Sequence, residues 1–226
     1  MNKTIFFTGA GISAESGVPT YRGRGGVWEQ YNYEEYACQE AFDRNPKKVI
    51  EFHKVRRKAV GFCKPNAGHL AITAMQGATI ITQNIDGLHQ RAGSKTVIEL
   101  HGSLWKNRCN YCDETQEIIP GEFYYKTLCN CGRYFRPDIV WFGDSLKEHN
   151  IRQAMHAIEH CETFISIGTS GAVWPAAGFP ELAKSHGAMC IEINPEPTEL
   201  SYMFDECIRE KASVAVPKLV KRMLEK

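Results

Sequence analysis

No stretch of the 226 residues approaches the roughly 18 continuous apolar positions that a bilayer-spanning helix needs. The N-terminus lacks a basic segment, a long apolar core and a small-residue cleavage site, so no secretory leader is expected. The chain therefore reads as cytosolic; a monomer is expected. Neither sign of charge is in excess: 27 Lys and Arg stand against 26 Asp and Glu, for a formal net charge of +1. That balance argues against a dedicated nucleic-acid binder, which is usually strongly basic, and against electrostatic membrane attachment. There is no Gly-x-Ser-x-Gly elbow, which argues against a serine hydrolase. Internal repeats and low-complexity linkers are also missing. What is present, 43% hydrophobic and 23% charged residues, suits a globular chain of one large domain, or one domain with a smaller insert.

Short runs rich in β-branched and aromatic residues mark strands at Thr4 to Thr8, Ala78 to Thr82, Val97 to Leu100, Phe164 to Ile167 and Cys190 to Ile193. Helical spacing marks Asn66 to Met75, Ile151 to His160, Ala176 to Ser185, and Pro217 to Glu225 with its proline in the first turn. The alternation predicts an α/β fold, a Rossmann-like parallel sheet with helices on both faces, built from residues 1–33, 64–104 and 138–226. Two stretches break it. Residues 34–63 read as a helical insertion, and residues 105–137 as a cysteine-rich, turn-rich module; together they predict a small second lobe.

The first strand runs into Gly9-Ala10-Gly11-Ile12-Ser13-Ala14, a G-x-G-x-x-A pattern at a strand end. Such glycines let backbone approach a pyrophosphate, although a plain tight turn reads the same way. An ordinary dehydrogenase would place an acidic residue at a second strand end about 20 positions on. Here that region is the aromatic and polar Val27-Trp28-Glu29-Gln30-Tyr31, without strand character. Pro19 ends any helix early, and Arg22 with Gly23, Gly25 and Gly26 predicts a flexible loop able to cover a ligand.

Ligands of open parallel sheets bind beyond the carboxyl ends of the strands. The residues there are Gly9-Ala10-Gly11, Gln83-Asn84-Ile85-Asp86, His101-Gly102-Ser103, Gly168-Thr169-Ser170 and Asn194-Pro195-Glu196. Each alone could be a turn; together they predict one polar crevice. His101, directly at a strand end, is the best general-base candidate among eight histidines.

Cys109 and Cys112 form one knuckle, and Cys129 and Cys131 a second, separated from it by 16 residues. Four thiolates at this spacing can close a tetrahedron around Zn²⁺ and leave no position for water, so the metal would be structural. A redox Cys-x-x-Cys pair is the competing reading, weakened by the second pair. Cys38, Cys63, Cys161, Cys190 and Cys207 read as packing residues.

These motifs, taken together over essentially the whole chain, resemble the sirtuins. Gly9 through Arg22 is similar to the family's cofactor loop, with Tyr21 where phenylalanine is common. Gln83-Asn84-Ile85-Asp86 resembles its nicotinamide-ribose motif and Glu99-Leu100-His101-Gly102-Ser103 its catalytic-histidine motif. The short second zinc knuckle is like that of some bacterial members. The resemblance implies an NAD-dependent protein-lysine deacylase with NAD as co-substrate and one structural Zn²⁺. It assigns NAD contacts to Gly9, Ala10, Gly11, Ser13, Ala14, Thr20, Tyr21, Arg22, Trp28, Gln83, Asn84, Ile85, Asp86, Gly168, Thr169, Ser170, Asn194, Pro195, Glu196 and Ala212. It places Gln83, Asn84 and Asp86 with His101 in the chemistry. The acyl-lysine carbonyl would attack C1′ of the ribose and expel nicotinamide. His101 would then take a ribose hydroxyl proton, and hydrolysis would leave free lysine and O-acyl-ADP-ribose. Val140-Trp141-Phe142-Gly143 resembles the segment that packs on the lysine stem and pairs with the substrate backbone.

A desuccinylase and demalonylase subgroup, class III, carries Tyr-x-x-Arg on a small-lobe helix. The matching residues here are His53 and Arg56, three apart and so on one helix face. A guanidinium there can bind an acyl carboxylate bidentately; a solvated basic face continuing through Arg57 and Lys58 is the other reading. Two further functions stand beside deacylation. One is mono-ADP-ribosyl transfer from the same cleft. The other is a zinc-ribbon nucleic-acid binder using Lys106, Arg108, Lys126, Arg133 and Arg136.

Overall fold

The computed structural model describes residues 3–20, 26–122 and 124–225. Strand β1 (Thr4–Thr8) has every side chain buried, as a strand covered on both faces must. It runs into the short helix α1 (Ala10–Ala14). Helices α2 (Val27–Gln30), α3 (Tyr33–Tyr36) and α4 (Gln39–Arg44) lead to the long α5 (Pro46–Phe62). Asn45 caps α5 by accepting the Lys48 N–H at 3.1 Å, and Pro46 sits where a missing N–H costs nothing. Helix α6 (Ala67–Ile72) begins with a reciprocal cap: the Asn66 side chain accepts from Gly68, and His69 Nδ1 accepts the Asn66 N–H. Then come β2 (Thr79–Thr82), α7 (Leu88–Ala92) and β3 (Val97–Glu99). Strands β4 (Gly102–Arg108), β5 (Thr115–Glu117) and β6 (Arg136–Ile139) follow. The chain ends through α8 (Glu148–Glu159), β7 (Thr163–Ile167), α9 (Phe179–Ser185), β8 (Met189–Ile193), β9 (Glu206–Ile208) and α10 (Ala212–Leu224).

Six strands form a parallel sheet in the order β3-β2-β1-β7-β8-β9. Renumbered within the sheet this is 3-2-1-4-5-6, the doubly wound order whose crevice opens at the central strand. Alternate β1 side chains serve opposite faces. Ile5 and Phe7 join Ile158, Phe164 and Phe179 on one side, whereas Phe6 joins Ile72, Ile165, Val216 and Leu219 on the other.

Two elements differ from the sequence reading. β9 is a sixth strand, unmarked because its three residues include no fully buried side chain. Helix α10 starts at Ala212 and holds Pro217 in its interior, not in its first turn. Proline removes the bond to the Ser213 carbonyl, but Ala212, Ala215, Val216, Leu219 and Val220 form a buried stripe that carries the helix across the gap.

The second sheet is antiparallel, in the order β5-β4-β6. It starts at Gly102 and ends at Ile139, reaching past residues 105–137 on both sides. Arg57 pins α5 to it. Although 2% exposed, the guanidinium is satisfied by the Leu104 carbonyl at 2.5 Å, Asn107 Oδ1 at 2.7 Å and the Tyr125 ring. It is a buried staple, not part of a solvated basic face.

The two halves of the parallel sheet meet at a contact between glycines. The Gly9 and Gly11 N–H groups donate to the Ile167 and Gly168 carbonyls, each at 3.0 Å. A Cβ on Gly11 would fall 2.5 Å from Gly168 Cα, and Gly168 itself has φ +59°. The obstructing atoms are backbone and cannot swing away. Gly11→Ala is therefore expected to cost about 1–3 kcal/mol. A lowered denaturant midpoint at unchanged slope would report it; an unchanged midpoint would mean the loops are not in contact in solution.

Candidate active site

A cleft of about 790 Å³ opens beyond the carboxyl ends of the parallel strands, within the size range of small-molecule sites. All five expected strand-end loops reach it, through Gly9, Ala10 and Gly11; Gln83, Asn84 and Ile85; His101; Gly168, Thr169 and Ser170; and Asn194. Thr20 and Trp28 line it from the residues after α1, and Val140, Trp141 and Phe142 from the segment after β6. Ser13 and Asp86 lie in a smaller adjoining recess with Arg56. Ala14, Gly143, Pro195 and Glu196 are exposed and do not line the cleft, while Ala212 is buried at the start of α10. Tyr21 and Arg22, with the expected covering loop, lie outside the described residues.

His101 occupies the two-residue joint between β3 and β4. Its Nδ1 donates to the Gln83 carbonyl at 2.8 Å, and its own carbonyl accepts the Val140 N–H at 2.9 Å. Because a carbonyl can only accept, Nδ1 carries the proton and Nε2 keeps a lone pair. Burial lowers the imidazole pKa, opposed by the bond to Gln83, so the ring is neutral near neutral pH.

Asn84 and Asp86 are buried at 5% and 4% exposure, which demands hydrogen-bond partners. Asn84 Nδ2 donates to the Gly9 carbonyl at 3.0 Å and to Ser13 Oγ at 3.2 Å. Ser13 Oγ donates to Asp86 Oδ2, and the Leu88 N–H to Asp86 Oδ1, both at 2.8 Å. Burial pushes the Asp86 carboxyl up, while those two donors oppose it. This network ties the loops after β1 and β2 together. Below it, His89 Nε2 meets Thr8 Oγ1 at 2.9 Å, and His69 lies 4.9 Å from the His89 ring.

Trp141, on the cleft wall, packs against one buried cation and one buried neutral imidazole. The Arg136 guanidinium lies 3.6 Å from its ring centroid, and the His53 ring stacks at 6.0 Å with 24° between planes. Arg136 is 1% exposed and bonded to Asp144, Gln39 and the Ile139 carbonyl. His53 is 0% exposed and lines neither the cleft nor the recess beside it. Both its ring nitrogens lack a hydrogen-bond partner of good geometry. Burial, followed by Arg56 and Arg57, drives its pKa well below the usual histidine range. Of the expected acyl-binding pair, then, Arg56 borders the site and His53 packs behind its wall.

The four knuckle cysteines converge. One ligand atom from each lies within 4.8 Å of the others, with Cys109 and Cys131 sulfurs 3.6 Å apart and Cys112 and Cys129 sulfurs 3.3 Å apart. Sulfurs about 3.7 Å apart form the edges of a tetrahedron around Zn²⁺, so this donor set fits the ion. Burial opposes ionisation of Cys109, but bonds from the Tyr111 and Cys112 backbone outweigh it and bring the thiol to about 7. His101 takes no part in the cluster.

Sequence reading missed part of the rim: Ala37, Asp144, Ser145, Leu146, Ile151, Val173, Trp174 and Pro175. These residues are mostly apolar and follow no strand end, so only the folded chain collects them. Trp174, 74% exposed, is the sole large aromatic among them.

The buried imidazoles set an acid limit on stability. In an unfolded chain they protonate near pH 6.5. In the fold, burial holds His69 at about 4, and burial with His69 nearby holds His89 at about 3. The unfolded state therefore binds more protons in this window, and stability present above pH 6.5 is lost as pH falls toward the folded values. The melting temperature should drop steadily from about pH 6.5 to about pH 4; a flat profile would show that these rings titrate freely in the fold.

Strand order and crevice put this chain in the class of doubly wound, dinucleotide-binding folds, here carrying a four-cysteine module. Residues 9–175 match the Sir2 family, and the chain belongs to it. An NAD-dependent protein deacylase of Aquifex aeolicus is 45% identical, covering 98% of this chain and 95% of its own. NAD-dependent protein deacylase 2 of Pyrobaculum aerophilum is 44% identical, covering 97% and 90%. Among solved structures, a Sir2 homolog–NAD complex superposes with TM-score 0.90 at 39% identity, over 99% of this chain and 90% of that one. A Sir2–p53 peptide–NAD⁺ complex does so with TM-score 0.81 at 29% identity, over 99% and 92%.

Proposed function

We propose that this protein is an NAD-dependent protein-lysine deacylase. The observation that carries the reading is His101: an imidazole at the cleft, its Nδ1 tied to Gln83, its Nε2 left to accept a proton. Gln83, Asn84, Thr169, Ser170 and Asn194 supply the hydrogen-bonding edge that the ribose and phosphate groups of NAD require. NAD, when bound, supplies the electrophilic ribose carbon that takes up the acyl oxygen. The protein orients the reactants, excludes water and removes a proton from a ribose hydroxyl through His101. Asn84 is fixed by Gly9 and Ser13, so its position at the nicotinamide end does not depend on ligand.

Acyl-lysine enters from the Val140–Phe142 side. The Val140 and Phe142 N–H groups are spent on the His101 and Ala37 carbonyls. That holds Trp141 as a rigid wall for the apolar lysine stem. The division into a sheet domain and a small lobe of residues 34–63 and 105–137 belongs to the same proposal, since Ala37 of the insertion lines the same cleft as Gly9 and Gly168 of the sheet domain. The Cys109, Cys112, Cys129 and Cys131 site holds a structural Zn²⁺. Nucleic-acid binding is disfavoured by the charges near the knuckles. Arg136 is buried, Lys106 and Arg108 pair with Glu117 and Asp138, and Arg133 covers Tyr111.

Acidic acyl groups are substrates too, through Arg56. Its recess shares Ala10, Asn84 and Ile85 with the cleft. A succinyl or malonyl carboxylate would meet the guanidinium there. His53, neutral and buried, supports this wall by packing.

Two variants test the proposal. His101→Ala should abolish acyl-dependent nicotinamide release, a loss of at least about 10²-fold, with zinc content unchanged; retained turnover would remove His101 from the chemistry. Stable labelling of protein by NAD without an acyl substrate would favour ADP-ribosyl transfer instead. Arg56→Ala should reduce kcat/KM on succinyl- and malonyl-lysine peptides by about tenfold or more, the scale of one charge-assisted bond, and much less on acetyl-lysine. Equal loss on all three would end the acidic-acyl assignment.

A further inference from the structure

Apart from the four cysteines, one other group of metal-ligating side chains gathers among the described residues: His156, Glu159 and His160, at the C-terminal end of α8. We infer that this group is a second metal site, an open, surface-exposed His₂Glu set for a borderline divalent transition ion such as Ni²⁺, Cu²⁺ or Zn²⁺. It is separate in place and kind from the zinc module.

Four observations support it. The residues are spaced i, i+3, i+4, so one helix face presents all three. One ligand atom from each lies within 4.8 Å of the other two. The two imidazole rings already stand with centroids 4.4 Å apart. A tetrahedral ion needs nitrogens and oxygens about 3.4 Å apart, and His156 is exposed and can make that adjustment by side-chain rotation.

The His160 ring is also oriented. Its Nδ1 meets the His156 carbonyl at 2.7 Å. Nδ1 must therefore carry the proton, which leaves the Nε2 lone pair for a metal. A backbone carbonyl holding the non-ligating nitrogen is the usual support of a metal-binding histidine. Position adds to this: His160 caps the helix, where the unpaired carbonyls present negative charge that favours a cation.

Two imidazoles and a carboxylate select nitrogen-preferring first-row ions over Mg²⁺ or Ca²⁺, which take oxygen ligands. Three protein ligands leave at least one position for water or for a ligand from another molecule. The first turn of the same helix touches the NAD cleft through Ile151, about 13 Å of helix away from His160. The ion is thus outside the reaction.

The test uses the full-length, zinc-loaded protein and Ni²⁺ alone as the probe. Equilibrium dialysis with metal analysis should find one Ni²⁺ bound per chain while the zinc content stays constant. His156→Ala and His160→Ala should each weaken that binding by about tenfold or more, with deacylase activity retained as proof of folding. His186→Ala, a histidine outside the group, should bind Ni²⁺ as the parent does. Paramagnetic Ni²⁺ should broaden the His156 and His160 imidazole signals first. The proposal is overturned if the parent takes up no Ni²⁺, if the His156 and His160 variants bind it equally well, or if uptake is matched by loss of zinc.

Discussion

The contact on which this molecule depends is between two stretches of backbone with no side chains between them. Gly9 and Gly11, after β1, lie directly against Gly168, after β7, joined by two hydrogen bonds of 3.0 Å. These strands neighbour each other at the point where the sheet order reverses. The glycine pattern invites explanation by a bound pyrophosphate, yet in the structure it already has an internal cause. The loops must touch before the crevice has a floor. The network of Asn84, Ser13 and Asp86 then draws in the loop after β2, and His101 is held in turn by Gln83 from that loop.

The smaller part of the molecule is held by different means. Its apolar cluster, with Val49, Leu104, Trp105 and Trp141, is supplemented by two buried guanidinium groups. Arg57 joins α5 to the Leu104 carbonyl and Asn107, and Arg136 joins β6 to Asp144, Gln39 and the Trp141 ring. Arginine suits such places because its planar fork satisfies several acceptors at once. Each cation lies next to a residue of proposed function: Arg57 follows Arg56, and Arg136 underlies Trp141. Structural charge and functional surface are thus interleaved on the same elements.

How much of this was legible beforehand follows from the range of the forces. Buried strands such as Phe164 to Ile167 declare themselves through β-branched and aromatic runs, because both faces are covered. The cysteine tetrahedron declares itself through spacing, because its geometry is local to two knuckles. His101 and the polar strand ends were legible because sheet topology fixes where such ends collect. The failures are long-range. His53 looked like a ligand-binding partner of Arg56, but Trp141, distant in the chain, stacks on it and seals it from the cleft. The alternative of a solvated basic face through Arg57 is excluded by a contact from far along the chain, the Leu104 carbonyl. Pro217 looked like a helix start because local propensity cannot weigh the buried stripe of α10. Strand β9 is too short and too exposed to carry any pattern.

His101 is the joint at which the chain leaves the parallel sheet and enters the antiparallel one, with Glu99 ending β3 and Gly102 beginning β4. Its ring is anchored to the first sheet's loop and its carbonyl to the edge strand of the second. The residue proposed to handle the proton therefore also ties the two sheets together. A substitution that loosened its hold on either Gln83 or Val140 would disturb the seam and the base at once.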